Sequence, residues 1–113
     1  MTLKSGPVSG SASARPDIPT TRPKAVGTLL QQTERVIVTE WRLAAGAETG
    51  WHRHAHDYVV VCLTAGRLLA ETADGNVETE LAFGQAYTRP AGVEHNIVNA
   101  GTAEFAFVEV ELK

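Results

Sequence analysis

The run Gly84-Gln85-Ala86-Tyr87-Thr88-Arg89-Pro90-Ala91-Gly92-Val93-Glu94-His95-Asn96-Ile97-Val98-Asn99 decides the fold. Gly84 admits a turn conformation closed to residues that carry a Cβ. Gln85 to Arg89 then read as a short strand, with Gln85, Tyr87 and Arg89 on one face. Pro90-Ala91-Gly92 stops that strand: proline fixes φ before a tight turn, and glycine can supply positive φ within it. The turn sets the direction of His95 in the next strand, Glu94 to Asn99. The Asn99 amide can hydrogen-bond backbone groups of the turn Ala100-Gly101-Thr102 that follows. An imidazole aimed by a rigid turn is a candidate metal ligand, and Arg89 a candidate carboxylate binder.

Upstream lies a second group, His52-Arg53-His54-Ala55-His56-Asp57-Tyr58, which places three of the four histidines of the chain just before the apolar run Val59 to Leu63. Side chains alternate faces in a strand, so a regular strand puts His52, His54, His56 and Tyr58 on one side. His52 and His54 are then close enough to reach one ion, and imidazole suits zinc, copper, iron and nickel. Asp57 points the other way and reads as a turn or surface carboxylate.

Working outward, the rest of the chain from Ala25 is a succession of short strands. They are expected at Val26–Gln32, Arg35–Leu43, Tyr58–Leu63, Arg67–Thr72, Val77–Ala82, Gln85–Arg89, Glu94–Asn99 and Glu104–Leu112. Asp74-Gly75 is a strong hairpin signal. No stretch carries a sustained helical stripe with caps. The pattern predicts an all-β fold, a closed or double-sheet antiparallel barrel. In the last strand Ala106, Val108, Val110 and Leu112 read as the core face. Phe105, Phe107, Glu109 and Glu111 read as a second face, partly covered by a partner subunit, so a homodimer is expected.

Before Ala25 the composition changes. Residues 1–24 are rich in Ser, Gly, Pro, Thr and Ala, with too little apolar surface to offset the entropy of ordering. They read as a flexible arm ahead of a barrel domain at 25–113. A length of 113 residues suits one domain, and a hydrophobic fraction of 43% suffices for one core. The net charge of −3 and the pI near 5.8 argue against a nucleic-acid binder, and the apolar runs are too short to span a membrane. The first residues lack the apolar core of a secretory signal. The one cysteine, Cys62, excludes an internal disulfide and reads as a small buried hydrophobe. A cytoplasmic protein is expected.

The two groups together resemble the motifs of the cupin superfamily. Gly84, Pro90, Gly92, His95 and Asn99 match every fixed position of the second cupin motif. Gly46, His52, His54 and Gly66 match the first. The resemblance implies a small double-stranded β-helix, or jelly-roll, barrel with a metal at its mouth, and frequent homodimers. Carried over position by position, it implies that His52, His54 and His95 are metal ligands. The family often has Glu or Gln where this chain has Tyr58. Tyr58 is thus a candidate fourth ligand or catalytic residue, and His56 an alternative fourth ligand if the strand bends. The length and the Tyr58 pattern are also similar to small stand-alone cupins, some of them named in β-alanine degradation.

A three-imidazole site leaves a divalent transition metal (iron, nickel, zinc or manganese) with most of its charge, able to act as a Lewis acid or to acidify bound water. The expected partner is a small-molecule ligand or substrate. The expected function is a metalloenzyme, with dioxygenation one option, acting on a small organic acid or related metabolite. The alternatives are a non-enzymatic ligand-binding or sensing barrel and a purely structural metal. A fold of this kind hosts many functions, so the sequence does not decide among them.

Overall fold

The strand-forming runs and turn residues alternate as the sequence reads them. The computed structural model describes residues 21–113, with nine strands among them: β1 Val26–Gln32, β2 Val36–Leu43, β3 His52–Arg53, β4 Asp57–Cys62, β5 Gly66–Thr72, β6 Gly75–Leu81, β7 Ala86–Arg89, β8 Glu94–Asn99 and β9 Phe105–Leu112. No helix among the described residues is long and apolar enough to cross a membrane. The strands form two antiparallel sheets, β1-β2-β9-β4-β7 and β3-β8-β5-β6, the jelly-roll barrel that the sequence predicts.

The core packs Trp41 and Leu43 from β2, Tyr58, Val60 and Cys62 from β4, Leu68 from β5, Leu81 from β6, and Phe105 and Phe107 from β9. Full burial of each large apolar side chain contributes about 1.5–3 kcal/mol. Cys62 is buried among them, and burial pushes its thiol pKa up, as suits a packed hydrophobe.

The last strand corrects one expectation. Phe105, Phe107, Glu109 and Glu111 face the barrel interior, and the two glutamates are as buried as the aromatics. On the other face Val108 and Val110 are half-buried and Leu112 is exposed, whereas Ala106 is fully buried. The two rings are the larger apolar groups, so the interior takes them, and period-two alternation carries both carboxylates inward with them. Phe105 and Phe107 therefore cannot be the surface that meets a partner. The apolar outer surface of the larger sheet lies instead along the register pairs Val36–Leu112, Val38–Val110, Val59–Val110 and Val61–Val108.

The described residues at the end of the expected arm touch the loop before β3 and strand β5. The Glu48 backbone bonds to Pro23 and Ala25, and Arg22 forms ion pairs with Glu48 and Glu71. Residues 1–20 lie outside the described residues.

The turn residues act as their chemistry requires. Gly84 and Gly92 both have positive φ, 81° and 98°. Asp57 Oδ1 accepts the Ala91 N–H at 2.8 Å, which closes the turn before β8. Asn99 is buried and its Nδ2 donates to the carbonyls of Leu43 and Ala103, both at 2.9 Å, while its Oδ1 accepts from Gly101 N–H. One side chain thus ties β8 to the end of β2 and to the turn before β9.

Candidate metal centre

Antiparallel pairing of β3 with β8 sets His52 directly opposite His95. His54 follows two residues after His52, on the same inward face. Its N–H bonds to the Val93 carbonyl, and its carbonyl accepts from Gly92, the glycine of the turn between Pro90 and β8. The three imidazoles are buried and converge: His52 Nε2 lies 3.0 Å from His54 Nε2, which lies 3.2 Å from His95 Nε2. Their ligand atoms all fall within 4.8 Å of one another, a group that could hold a metal ion.

The donor chemistry fits such an ion. His52 Nδ1 lies 2.7 Å from the Gly50 carbonyl, which can only accept, so Nδ1 carries the proton and Nε2 presents its lone pair. Metal–imidazole bonds are about 2.0–2.1 Å, so adjacent nitrogens around one ion are separated by about 2.9 Å in octahedral and about 3.4 Å in tetrahedral geometry. The separations of 3.0 and 3.2 Å lie between these limits. Burial lowers the pKa of all three rings, to about 4 for His52 and about 3 for His54, and well below the ordinary value for His95, where the neighbouring imidazoles add to the effect. The rings are neutral at pH 7, the form that coordinates.

The other candidates separate. A strand continuous from His52 to Tyr58 is not what forms. Residues 52–53 pair with β8 of the smaller sheet, whereas Asp57 onward pairs with β7 and β9 of the larger. The chain crosses between sheets at Ala55-His56, and there the alternation lapses. His56 is half-buried and lies outside the three-imidazole group. Tyr58 returns to the interior with its ring stacked on His54, centroids 3.9 Å apart and planes at 20°. Burial drives its phenol pKa upward, and nearby Glu109 adds to the shift.

The imidazoles open onto a cavity of about 380 Å³ inside the barrel. Leu68, Leu81, Ile97 and Phe107 contribute apolar walls, and Gln85, just before β7, joins Tyr87 and Arg89 of β7 at the cavity, the three residues that the sequence places on one face. The Arg89 guanidinium sits 4.6 Å from the Tyr87 ring centroid and is paired with no carboxylate among the described residues. Sequence reasoning missed Glu109. It lines the same cavity, with Oε2 3.8 Å from His54 Nδ1, and burial followed by repulsion from Glu111 raises its pKa. The signal was available: glutamates that alternate in phase with two phenylalanines share their side of the sheet.

These observations define a barrel with a clustered imidazole site, and the comparisons give its family. The cupin domain model matches residues 39–111, and the chain belongs to the cupin family. It is 60% identical over 92 residues to the β-alanine degradation protein BauB of Pseudomonas aeruginosa, covering 81% of this chain and 97% of that one. A cupin domain protein of Bordetella pertussis is 55% identical with a TM-score of 0.81, over 84% of this chain and 99% of that chain. The polyketide cyclase RemF of Streptomyces resistomycificus shares the fold at 19% identity and a TM-score of 0.66, over 82% of this chain and 70% of that one.

Proposed function

We propose that this cupin holds one divalent transition metal ion, iron, nickel, zinc or manganese, on His52, His54 and His95, and that it is an enzyme acting on a small organic acid or related metabolite. The observation that carries this reading is the convergence of three neutral Nε2 atoms on a largely apolar cavity with Arg89 among its lining residues. Bound there, the metal would supply a Lewis acid with open positions, and dioxygenation is one reaction such a site supports with iron. Arg89, steadied on Tyr87, pairs with the carboxylate of the ligand, and the apolar walls exclude water around its carbon chain. Tyr58 is a wall of the site stacked on His54, and its hydroxyl is the candidate catalytic group. The name of the BauB relative, which ties that protein to β-alanine degradation, supports a small carboxylate metabolite as the substrate class. The second reading is a ligand-binding or sensing barrel, favoured by the same cavity if no turnover follows binding.

The apolar outer face of β2, β9 and β4 supports a homodimer, with a second copy covering Val38, Val59, Val108 and Val110.

The test begins with metal analysis of protein purified without an affinity tag. His95→Ala is expected to lose the metal, His56→Ala to keep it within a few-fold of the parent affinity, and Tyr58→Phe to retain it. If His56→Ala loses the metal while His95→Ala keeps it, the site is a local chelator and the reading fails. A screen of small carboxylic acids with Fe(II), Ni(II), Mn(II) and Zn(II) then separates enzyme from binding protein.

A further inference from the structure

On the side of β8 away from the cavity, the chain buries a polar cluster that the metal centre does not use. Alternation along β8 sends His95 and Ile97 to the cavity and Asn96 and Val98 to the outer side. There Asn96 is 4% exposed, between two buried carboxylates, Glu48 at 2% and Glu71 at 8%. Asn96 Nδ2 donates to Glu48 Oε1 and to Glu71 Oε1, both at 2.9 Å. Arg22 spans the same two carboxylates, with contacts of 3.0 Å to each.

These contacts orient the amide. An amide nitrogen has two N–H donors and its oxygen has none, so two carboxylate acceptors hold the nitrogen on their side. Asn96 Oδ1 is left facing the other way, where it accepts the Gly50 N–H at 2.8 Å. The Gly50 carbonyl in turn accepts His52 Nδ1–H at 2.7 Å. Thr49 reinforces the arrangement: its hydroxyl lies 3.0 Å from the Gly50 carbonyl and accepts the Ile97 N–H at 3.1 Å. The chain of contacts runs from Arg22 through the carboxylates, Asn96 and Gly50 to the ring of His52.

We infer that Asn96 is a positioning residue for His52: its amide, clamped between Glu48 and Glu71 under Arg22, holds Gly50 so that the Gly50 carbonyl keeps the imidazole protonated on Nδ1 and its Nε2 lone pair aimed at the metal centre. The role in metal binding rests on the function proposed above, whereas the effect on the ring of His52 does not. Partners of this kind behind a metal ligand typically change affinity by about 10–100-fold, because they fix the tautomer and the ring orientation. The carboxylates and Arg22 make the clamp strong: hydrogen bonds to charged groups are about twice as strong as neutral ones.

The test compares Asn96→Ala with Val98→Ala, a buried position on the same strand and face that pairs with Glu48 through its backbone but whose side chain offers Gly50 no hydrogen bond. Co(II) affinity is expected to fall about 10–100-fold in Asn96→Ala and to stay within about twofold in Val98→Ala, even where thermal unfolding shows equal destabilisation. Equal losses in the two variants, or no loss in Asn96→Ala, would overturn the proposal. A second measurement needs neither metal nor variant. Nitrogen–proton NMR of the metal-free parent protein should show His52 as the Nδ1–H tautomer with slow proton exchange, and the Nε2–H tautomer would overturn the inference even if Asn96→Ala fails to fold. If the parent binds no Co(II), the metal reading fails. The inference then stands or falls on the His52 tautomer, with faster Nδ1–H exchange expected in Asn96→Ala and unchanged exchange refuting it.

Discussion

With the Glu109 proton removed by Glu109→Gln, lowering the pH from about 7.5 to about 5.5 should leave the affinity of this barrel for a divalent metal nearly unchanged, although its ligands are histidines. A ligand imidazole must be neutral, so protons compete with the metal. Three imidazoles with the ordinary pKa of about 6.5 would each go from about nine-tenths neutral to about one-tenth, a loss of roughly tenfold each and roughly 1000-fold together. Here burial holds His52 at about 4 and His54 at about 3, and His95 well below its ordinary value. At pH 5.5 a group with a pKa near 4 is still about 97% neutral, so the expected loss is below about twofold. One other proton needs control. Glu109, 3.8 Å from His54 Nδ1, has a raised pKa, and metal binding beside it would release its proton. Competition titration with Co(II), followed by absorbance at three pH values, should therefore be run on the parent and on Glu109→Gln. A fall of more than about 30-fold in Glu109→Gln over this range would refute the reasoning, since it would mean that at least two imidazoles titrate near their solution value.

Three further outcomes are expected. The sign of the histidine shifts makes acid destabilise the metal-free fold: these folded-state pKa values lie below the unfolded value, so stability is fully present above pH 6.5 and is lost as pH falls toward 4 and 3, which urea unfolding of the parent against a His54→Gln variant would isolate as a shallower pH dependence in the variant. Asn99→Ala removes the buried amide that serves Leu43, Ala103 and Gly101; it should cost about 2–4 kcal/mol and lower Tm by at least about 8 °C, read by calorimetry, with an unchanged Tm refuting its role. Sedimentation equilibrium should show a dimer for the parent chain and a monomer for Val110→Asp, which places a charge at the centre of the outer apolar face; a monomeric parent would refute the dimer.

The turn chemistry and the strand succession were legible along the chain because both are local. Gly84, Pro90 and Gly92 restrict their own dihedrals, and alternation is a property of consecutive residues, so the expected Val26–Gln32 and Glu94–Asn99 strands coincide with β1 and β8. Spacing alone also put His52 and His54 on one side, and the likeness to the cupin motifs added His95. What only the tertiary structure decided depends on which sheet a residue joins. His56 loses its place beside His54 because the chain passes from the smaller sheet to the larger between them, and no short-range signal marks that crossing. The inward turn of Glu109 and Glu111 was decided by where Phe105 and Phe107 pack, a choice between two alternating faces that pattern counting made wrongly. The clamp of Arg22, Glu48, Glu71 and Asn96 joins residues from four separate stretches, and such a cluster exists only once the N-terminal segment, the loop before β3 and strands β5 and β8 are brought together.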